Sequence, residues 1–187
     1  RLVAEASALT TPSIRDYRDQ VEALTGVSLR VCPVCRDGRM VAIVIDARAA
    51  FATVERFPDV DRLIVDWPEE AFATIDLGPN DAVAILSHDP KFDEPAIVEA
   101  MHRGCRYVGA VGSRKTQADR RIRLAEAGLS AEQIGALHGP IGLDLGGKDP
   151  AETALAIIAE IVAARRGGSG LPLRERLARD RELPIAE

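Results

Sequence analysis

The sequence has few aromatic residues, no excess of positive charge and no long apolar run. Its 187 residues include one Trp, two Tyr and four Phe, and its formal net charge is −5 at pH 7. This charge argues against nucleic acid or an anionic membrane as the main partner, because both require a basic surface. No stretch approaches the roughly 18 apolar residues of a membrane helix, and no signal-peptide pattern is present. We therefore expect a cytoplasmic protein.

Cysteine is also scarce, with three residues at Cys32, Cys35 and Cys105. An odd number makes a poor disulfide framework and suits a reducing compartment. Cys32 and Cys35 form a single C-x-x-C pair, whereas a structural zinc ion needs four ligands, so we predict no metal site. We expect Cys105 to be buried at the start of a strand. Whether any of the three handles sulfur stays open.

Apolar residues are abundant, at 47% of the chain, and they fall in short β-branched runs that alternate with helical patterns. The predicted strands are 40–46, 62–66, 82–86 and 106–111, and the predicted helices are 69–75, 94–103, 115–127 and 151–165. This alternation indicates right-handed βαβ units. We therefore predict an α/β fold with three layers, in which a Rossmann-like open parallel sheet has helices on both faces.

The length suits one domain with short extensions. Residues 1–39 form an N-terminal extension with a predicted helix over 13–24 and a possible hairpin turn at Asp37 and Gly38. Residues 40–166 form the α/β domain, and 167–187 are a flexible glycine joint and a charged tail. The last helix should cover the sheet with one apolar face. That face comprises Leu155, Ile158, Ile161 and Val162.

An acidic and a basic residue follow the first predicted strand. In open parallel sheets, ligands bind at the carboxyl ends of the strands, where Asp46 and Arg48 stand. An acidic residue at this point of a dinucleotide fold accepts hydrogen bonds from ribose hydroxyls, and Arg48 could pair with a phosphate. The alternative is that Asp46 only caps the next turn.

The loop after the third predicted strand, SHDPKFD, is dense in polar chemistry. His88 suits proton transfer near neutral pH, Lys91 could meet a phosphate, and Phe92 is available for stacking. Together with Asp89 these residues are candidate ligand contacts. The structural alternative is that Asp89 or Asp93 caps the following helix and His88 bonds a backbone carbonyl.

The fourth predicted strand also leads directly into a helix. The connecting residues are Gly112, Ser113, Arg114, Lys115 and Thr116. The glycine permits close approach, and the first-turn amides with two cations form a positive pocket suited to phosphate or pyrophosphate. The spacing is not that of a Walker loop, so nucleoside triphosphate hydrolysis has no direct support. The alternative is an ordinary helix cap with exposed basic residues.

A glycine-rich loop, HGPIGLDLGG, precedes the last predicted helix. Its backbone amides, among them that of Gly142, and the Asp144 carboxylate could contact a ligand, or the loop could be only a tight connection. The residues leave both interpretations open. No residue is assigned as catalytic.

Four segments together resemble the C-terminal Rossmann domain of the XdhC/CoxI family, from about Ile43 to Arg166. They are IVIDARAAFATVERFP, LSHDPKFDEPAI, YVGAVGSRKTQADRRIRLAEAGL and HGPIGLDLGGKDPAETALAIIAEI. Their shared order is more specific than any one of them. The resemblance implies an accessory protein, rather than an enzyme, for a molybdenum hydroxylase of the xanthine dehydrogenase or CO dehydrogenase type.

That resemblance also implies a ligand and partners. The ligand is the molybdenum cofactor, molybdopterin, and the role is to assist its sulfuration or its insertion into the apoenzyme, with a cysteine desulfurase as a further candidate partner. The phosphate would lie on residues 112–116, Asp46 and Arg48 would face a sugar or pterin edge, and the His88–Phe92 loop would close over the ligand.

The chain departs from the family before the first predicted strand. A first strand, a G-x-G-x-x-G-like turn and a helix are expected there, and VSLRVCPVCRDGRMVAIVID leaves no room for that helix. An NAD(P)-binding oxidoreductase with His88 as acid/base is an alternative, although it needs the missing glycine turn. A third interpretation is an interaction module without a ligand. Exposed apolar helix faces could also make a homodimer.

Overall fold

The computed structural model describes residues 38–147 and 149–176, together with 19, 22–24, 26, 28, 30 and 31. The chain divides into two compact units, Arg1–Asp66 and Trp67–Glu187. Of the predicted N-terminal helix, residues 19 and 22–24 are described and are helical. The rest of that helix, Cys32, Cys35, Asp37 and the end of the charged tail lie outside the described residues.

The first unit contains two parallel strands, β1 (Ile43–Ile45) and β2 (Arg62–Ile64). Ile43 is opposite Arg62, and Ile45 is opposite Ile64. Asp61 fixes the start of the pair: its side chain accepts a hydrogen bond from the Ala42 amide at 2.9 Å and another from Arg39. The strands are shorter than the predicted 40–46 and 62–66, but they stand in the expected places and run in parallel.

The second unit has a parallel pair of its own, β3 (Ala82–Ile85) and β4 (Tyr107–Ala110), with Ile85 opposite Ala110. His138 adds a further parallel bridge at Gly109. Its amide donates to Val108 and its carbonyl accepts from Ala110, both at 2.9 Å. Since β3 and His138 both pair with β4, they lie on its opposite edges.

Among the described residues the strands form two parallel pairs and not one continuous sheet. One pair lies in each of the two units.

Five helices of the second unit have defined bounds. They are α1 (Pro68–Ala73), α2 (Pro90–His102), α3 (Arg114–Glu126), α4 (Ala131–Ala136) and α5 (Pro150–Arg166). Four match predicted helices. The prediction started α2 four residues too late, because Asp89 caps it and Pro90 occupies its first turn. The prediction missed α4, although Ser130 and Gln133 form a capping box.

The core of the second unit is built mainly from small and aliphatic side chains, as the scarcity of aromatic residues requires. Ile97, Val108 and Leu124 are buried, with Phe72 and Tyr107 as the two buried aromatic residues of the described chain. Within the described residues, no helix has both the length and the apolar character needed to cross a membrane.

The predicted inward face of the last helix is wrong for three of its four residues, and the fourth, Ile161, is half-buried. Leu155, Ile158 and Val162 are 62%, 58% and 53% exposed, and α5 instead buries Ala156 and Ile157. The reason lies in two contacts. Ala156 is small enough to lie against the glycine loop, where a Cβ on Gly142 would come within 3.3 Å of it. With this face of the helix inward, Glu160 also reaches Tyr107 of β4.

Glu160 holds α5 against β4 through a small polar cluster. Its carboxylate accepts hydrogen bonds from the Tyr107 hydroxyl at 2.6 Å and from the Gly142 amide at 2.8 Å, and it lies 3.2 Å from Nδ1 of His138. The Tyr107 and His138 rings are 4.4 Å apart between centroids. Burial alone would raise the pKa of Glu160, but the hydrogen bonds from Tyr107, Gly142 and His138 together lower it.

We predict that Glu160 makes the fold acid-sensitive. Because its folded-state pKa lies below the ordinary glutamate value, its stabilisation is present above that value and is lost as the pH falls through the folded pKa. Urea denaturation from neutral to acid pH should therefore show a smaller loss of free energy of unfolding in Glu160→Gln than in the unmodified protein. Glu126→Gln, at an exposed glutamate at the end of α3, is the control. Equal pH dependence of the unmodified protein and Glu160→Gln would contradict this.

Candidate functional site

Three loops of the second unit leave the sheet at one edge. Because β3, β4 and the segment through His138 are parallel neighbours, their carboxyl ends meet on the same side. The loop 86–89, the connection 111–113 and the glycine loop 139–147 therefore follow one another along this edge. Of the predicted site residues, all except Asp46 and Arg48 belong to these loops or to the first turns of the helices that follow them.

A buried ion pair joins the first two of these loops. The Arg120 guanidinium on α3 donates to the Asp93 carboxylate on α2 at 2.7 Å, and the two side chains are only 3% and 1% exposed. The Ser87 hydroxyl, at the end of β3, donates to the other carboxylate oxygen. Burial raises the pKa of Asp93, and the contacts with Ser87 and Arg120 oppose that rise. The pair therefore links the His88 loop to α3.

Arg120 reaches the end of β4 as well. It donates to the Val111 carbonyl at 3.0 Å and to the Gln117 side chain at 2.9 Å, and Gln117 in turn donates to the Ala110 carbonyl at 2.9 Å. The Val111 carbonyl, directly after β4, thus finds its partner on α3. The Ala110 carbonyl, which also accepts from the Ile141 amide at 3.1 Å, gains a second hydrogen bond from α3. Arg120 and Gln117 fix the connection that leads into the Gly112–Thr116 segment.

The α3 N-terminus is a well-formed cap with two exposed cations. The Ser113 hydroxyl accepts a hydrogen bond from the Thr116 amide at 3.1 Å. Gly112 has φ +143°, and a Cβ there would come within 3.0 Å of the Thr116 side chain. Arg114 and Lys115 are exposed, and neither forms an ion pair with another residue of the described chain. First-turn amides and unneutralised cations together favour an anion.

The His88 loop combines a structural cap with exposed polar groups. Asp89 caps α2 by accepting from the Lys91 amide at 3.0 Å, which is the structural role considered for it. The side chains of His88 and Lys91 are exposed. Phe92 is half-buried, with its ring centroid 6.2 Å from that of Trp67. The loop thus offers a cation and an imidazole to solvent beside the α3 N-terminus.

The glycine loop borders a small cleft beside α5. Asp144 accepts from the Gly146 amide at 3.2 Å, and Gly142 has φ +98°, a conformation that favours glycine. The cleft has a volume of about 140 Å³ and lies between residues 141–147 and the first turns of α5. Drug-sized ligands occupy pockets of roughly 300–1,000 Å³. The cleft therefore matches a fragment of a ligand.

In the first unit, Asp46 and Arg48 bind each other at the carboxyl end of β1. Arg48 donates to Asp46 through its backbone amide and Nε, both at 2.9 Å, and through a terminal nitrogen at 2.8 Å. The hydrogen bond from Arg48 lowers the pKa of Asp46. The Arg48 guanidinium also lies 4.6 Å from the centroid of the Phe51 ring. Any ligand contact by either residue would compete with this pairing.

The amino end of the second unit's sheet holds a larger cleft, of about 370 Å³. It is formed by residues 76–81, which precede β3, and by Arg103. This is the edge opposite to the candidate site. No three His, Cys, Asp or Glu side chains come together as a metal site in the described part of the chain. Cys105 is only partly buried, not fully as predicted, and burial raises the pKa of its thiol.

The residues that organise the site were not singled out from the sequence. Arg120 lies in the inward stripe of α3, with Gln117 three residues before it and Leu124 four residues after it. Glu160 stands at the same spacing from Ala156 and Ile157 on α5. The sequence feature that could have identified both residues is a charged residue at an inward position of an amphipathic helix. It can be recognised only once the inward face of the helix is known.

The chain is similar to known proteins in sequence and in fold. The family model described as the XdhC Rossmann domain matches residues 25–161. The chain is 31% identical over 124 residues to a protein of Bacillus subtilis (strain 168) named as a probable subunit of xanthine dehydrogenase, and 32% identical over 99 residues to "Molybdenum cofactor insertion chaperone PaoD" of Escherichia coli (strain K12). These matches cover 66% and 53% of this chain, and 36% and 30% of the relatives.

A solved structure shows the same Rossmann-like architecture. It is described as a xanthine dehydrogenase from Bacillus halodurans, and it aligns with a TM-score of 0.58 at 27% identity. The alignment covers 69% of this chain and 36% of that one. The chain thus spans about a third of the length of these relatives. The predicted α/β, Rossmann-like class is confirmed.

We predict that Asp93 and Arg120 are strongly coupled in stability. Arg120→Met should lower the free energy of unfolding by about 3–5 kcal/mol, because it leaves a buried carboxylate without its cation. The double variant, Arg120→Met with Asp93→Leu, should lose less free energy of unfolding than the two single variants lose in sum, by about 1 kcal/mol or more. Urea denaturation followed by circular dichroism measures all three variants. Arg121→Met, at the exposed neighbouring arginine, is the control and should change stability by less than about 0.5 kcal/mol; additive losses would show that the pair is not coupled.

Proposed function

The chain belongs to the XdhC Rossmann domain family, and from this premise we propose that it assists the maturation of a molybdenum hydroxylase by binding the molybdenum cofactor. The cofactor is cargo in this role: the domain holds it until it is inserted into the apoenzyme. Two relatives support the direction of the proposal through their names, one linked to xanthine dehydrogenase and the other to insertion of the molybdenum cofactor.

The observation that carries the proposal is the α3 N-terminus. Arg114 and Lys115 are cations in the first turn of a helix, where they oppose the helix dipole by a few tenths of a kcal/mol each. A phosphate placed there removes this penalty and gains hydrogen bonds from the first-turn amides. Gly112 keeps the approach open. The donor set therefore fits the phosphate of molybdopterin.

The rest of the cofactor would extend along the same edge of the sheet. The cleft of about 140 Å³ beside the glycine loop is too small for a whole pterin, so the ligand would lie across the edge with part of its surface uncovered. Gly142 and Asp144 would border it on one side. His88, Asp89, Lys91 and Phe92 would border it on the other. An uncovered ligand suits a carrier, because the cofactor must leave for another protein.

The proposal includes a molybdenum hydroxylase apoenzyme as the partner, in the cytoplasm. Sulfuration of the cofactor while it is held, with a cysteine desulfurase as the sulfur source, is the finer form of the same proposal. Asp46 and Arg48, in the first unit, bind each other, and the proposal does not rely on them. The oxidoreductase alternative lacks a glycine turn before β1 to receive a dinucleotide.

We predict that Lys115→Ala binds molybdopterin about tenfold more weakly, since the variant loses one charge-assisted contact to the phosphate. The measurement is the molar ratio of pterin to protein after purification from a host that makes the cofactor, by mass spectrometry. Arg121→Ala removes an exposed cation from the same helix, away from the N-terminus, and should retain the pterin.

Two outcomes would contradict the proposal. One is unmodified protein that carries no pterin and shows no thermal stabilisation when molybdopterin is added. The other is equal retention of pterin by Lys115→Ala and the unmodified protein, which would show that the phosphate does not bind at the α3 N-terminus. A titration with NADH tests the oxidoreductase alternative: tight, saturable fluorescence enhancement would favour the enzyme.

A further inference from the structure

Gln117 of α3 lies beneath the point where two of the strand-end loops begin. The residue is 5% exposed, and its side-chain amide makes two buried hydrogen bonds. Nε2 donates to the Ala110 carbonyl at the end of β4, and Oε1 accepts from Arg120, both at 2.9 Å. A flipped amide would place N–H groups against the guanidinium and an oxygen against the carbonyl. The orientation of the amide is therefore fixed.

The glycine loop begins directly against this amide. The Ala110 carbonyl that accepts from Gln117 also accepts from the Ile141 amide at 3.1 Å. A Cβ on Gly139 would lie 2.7 Å from Cδ of Gln117, which is closer than a Cβ can approach another carbon atom. The loop comes this close because glycine has no side chain. The first residues of the glycine loop thus pack on the Gln117 side chain.

The same side chain supports the connection 111–113 that leads into α3. A Cβ on Gly112 would lie 3.2 Å from Nε2 of Gln117, so this connection also packs on the amide. Arg120 holds the amide in place, and the buried carboxylate of Asp93 holds Arg120. Buried polar networks in which the members bond one another are rigid. Both loops therefore pack on one immobilised group.

We propose that Gln117 is a positioning residue for the ligand, because it sets the separation between the connection 111–113 and the glycine loop, the two walls of the proposed cofactor site. This inference rests on the proposed function. Gln117 is buried and does not touch the ligand; it acts through the backbone of the two loops. A ligand that contacts both walls must match their separation, whereas a phosphate ion contacts only the α3 N-terminus and is insensitive to it.

The first test compares two probes, molybdopterin and inorganic phosphate, on Gln117→Met. Methionine is uncharged and similar in length, but it has no amide, so neither hydrogen bond forms. The affinity for molybdopterin should fall about tenfold, because one wall of the site shifts relative to the other. The affinity for phosphate should be unchanged. Anaerobic calorimetric titration measures both affinities, and Lys115→Ala should weaken the binding of both probes.

Gly139→Ala tests the same contact from the side of the loop, and it carries the test if Gln117→Met does not fold. It keeps the Gln117 amide but adds a Cβ that has no room against it. Molybdopterin should again bind about tenfold more weakly, with phosphate binding unchanged. Gly135→Ala on α4 is the matched control, since a Cβ there meets nothing within 4 Å. Circular dichroism checks that each variant is folded.

The double variant, Gln117→Met with Gly139→Ala, separates positioning from general damage. Both changes act on one contact, so their effects on the affinity for molybdopterin should not add. The double variant should bind molybdopterin no more weakly than the weaker of the two single variants. Independent damage at two places would instead multiply the two losses.

Three results would overturn this inference and leave the proposed function standing. They are unchanged affinity for molybdopterin in the folded single variants, an equal loss of affinity for phosphate and molybdopterin, and multiplied losses in the double variant. An unmodified protein that binds phosphate but no molybdopterin is a different outcome, because it would overturn the proposed function together with this inference.

Discussion

The buried ion pair between Asp93 and Arg120 is the interaction on which the candidate site depends. It connects the end of β3, through Ser87, to α2 and α3, and Arg120 and Gln117 carry the connection on to the end of β4. Two charges withdrawn from water are costly to bury, and their attraction offsets this cost only when the geometry is good. A pair with both partners almost fully buried therefore holds two loops in one relative position. The N-terminus of α3 is held in place by the buried contacts of Arg120 and Gln117, while its two cations stay exposed.

Glu160 has the corresponding role on the other side of β4. It ties α5 to Tyr107 and to the glycine loop at Gly142, and it determines which face of α5 is inward. The aliphatic stripe of the helix is left outside as a result. The same polar contact thus shapes the edge of the sheet where a ligand would lie.

Membership of the XdhC Rossmann domain family agrees with the α/β architecture of the described residues. Their strands form two parallel pairs, one in each unit. In the second unit, the N-terminus of α3 at the end of β4 keeps Arg114 and Lys115 exposed, which is the feature on which the proposed phosphate contact rests.

The alternation of β-branched runs and helical patterns was enough to predict the α/β class, the parallel strands and four helices of the second unit, because these depend on local periodicity. Caps such as Ser113 were visible for the same reason. Three features required the tertiary structure: the inward face of α5, the pairing of Asp93 with Arg120, and the mutual hydrogen bonds of Asp46 and Arg48. An apolar helix with two possible faces is oriented by one long-range contact, from Glu160 to a tyrosine 53 residues away. A buried charge is satisfied by a partner 27 residues distant along the chain. Local patterns carry information about neighbours three or four residues apart, and only the folded chain selects partners at these separations.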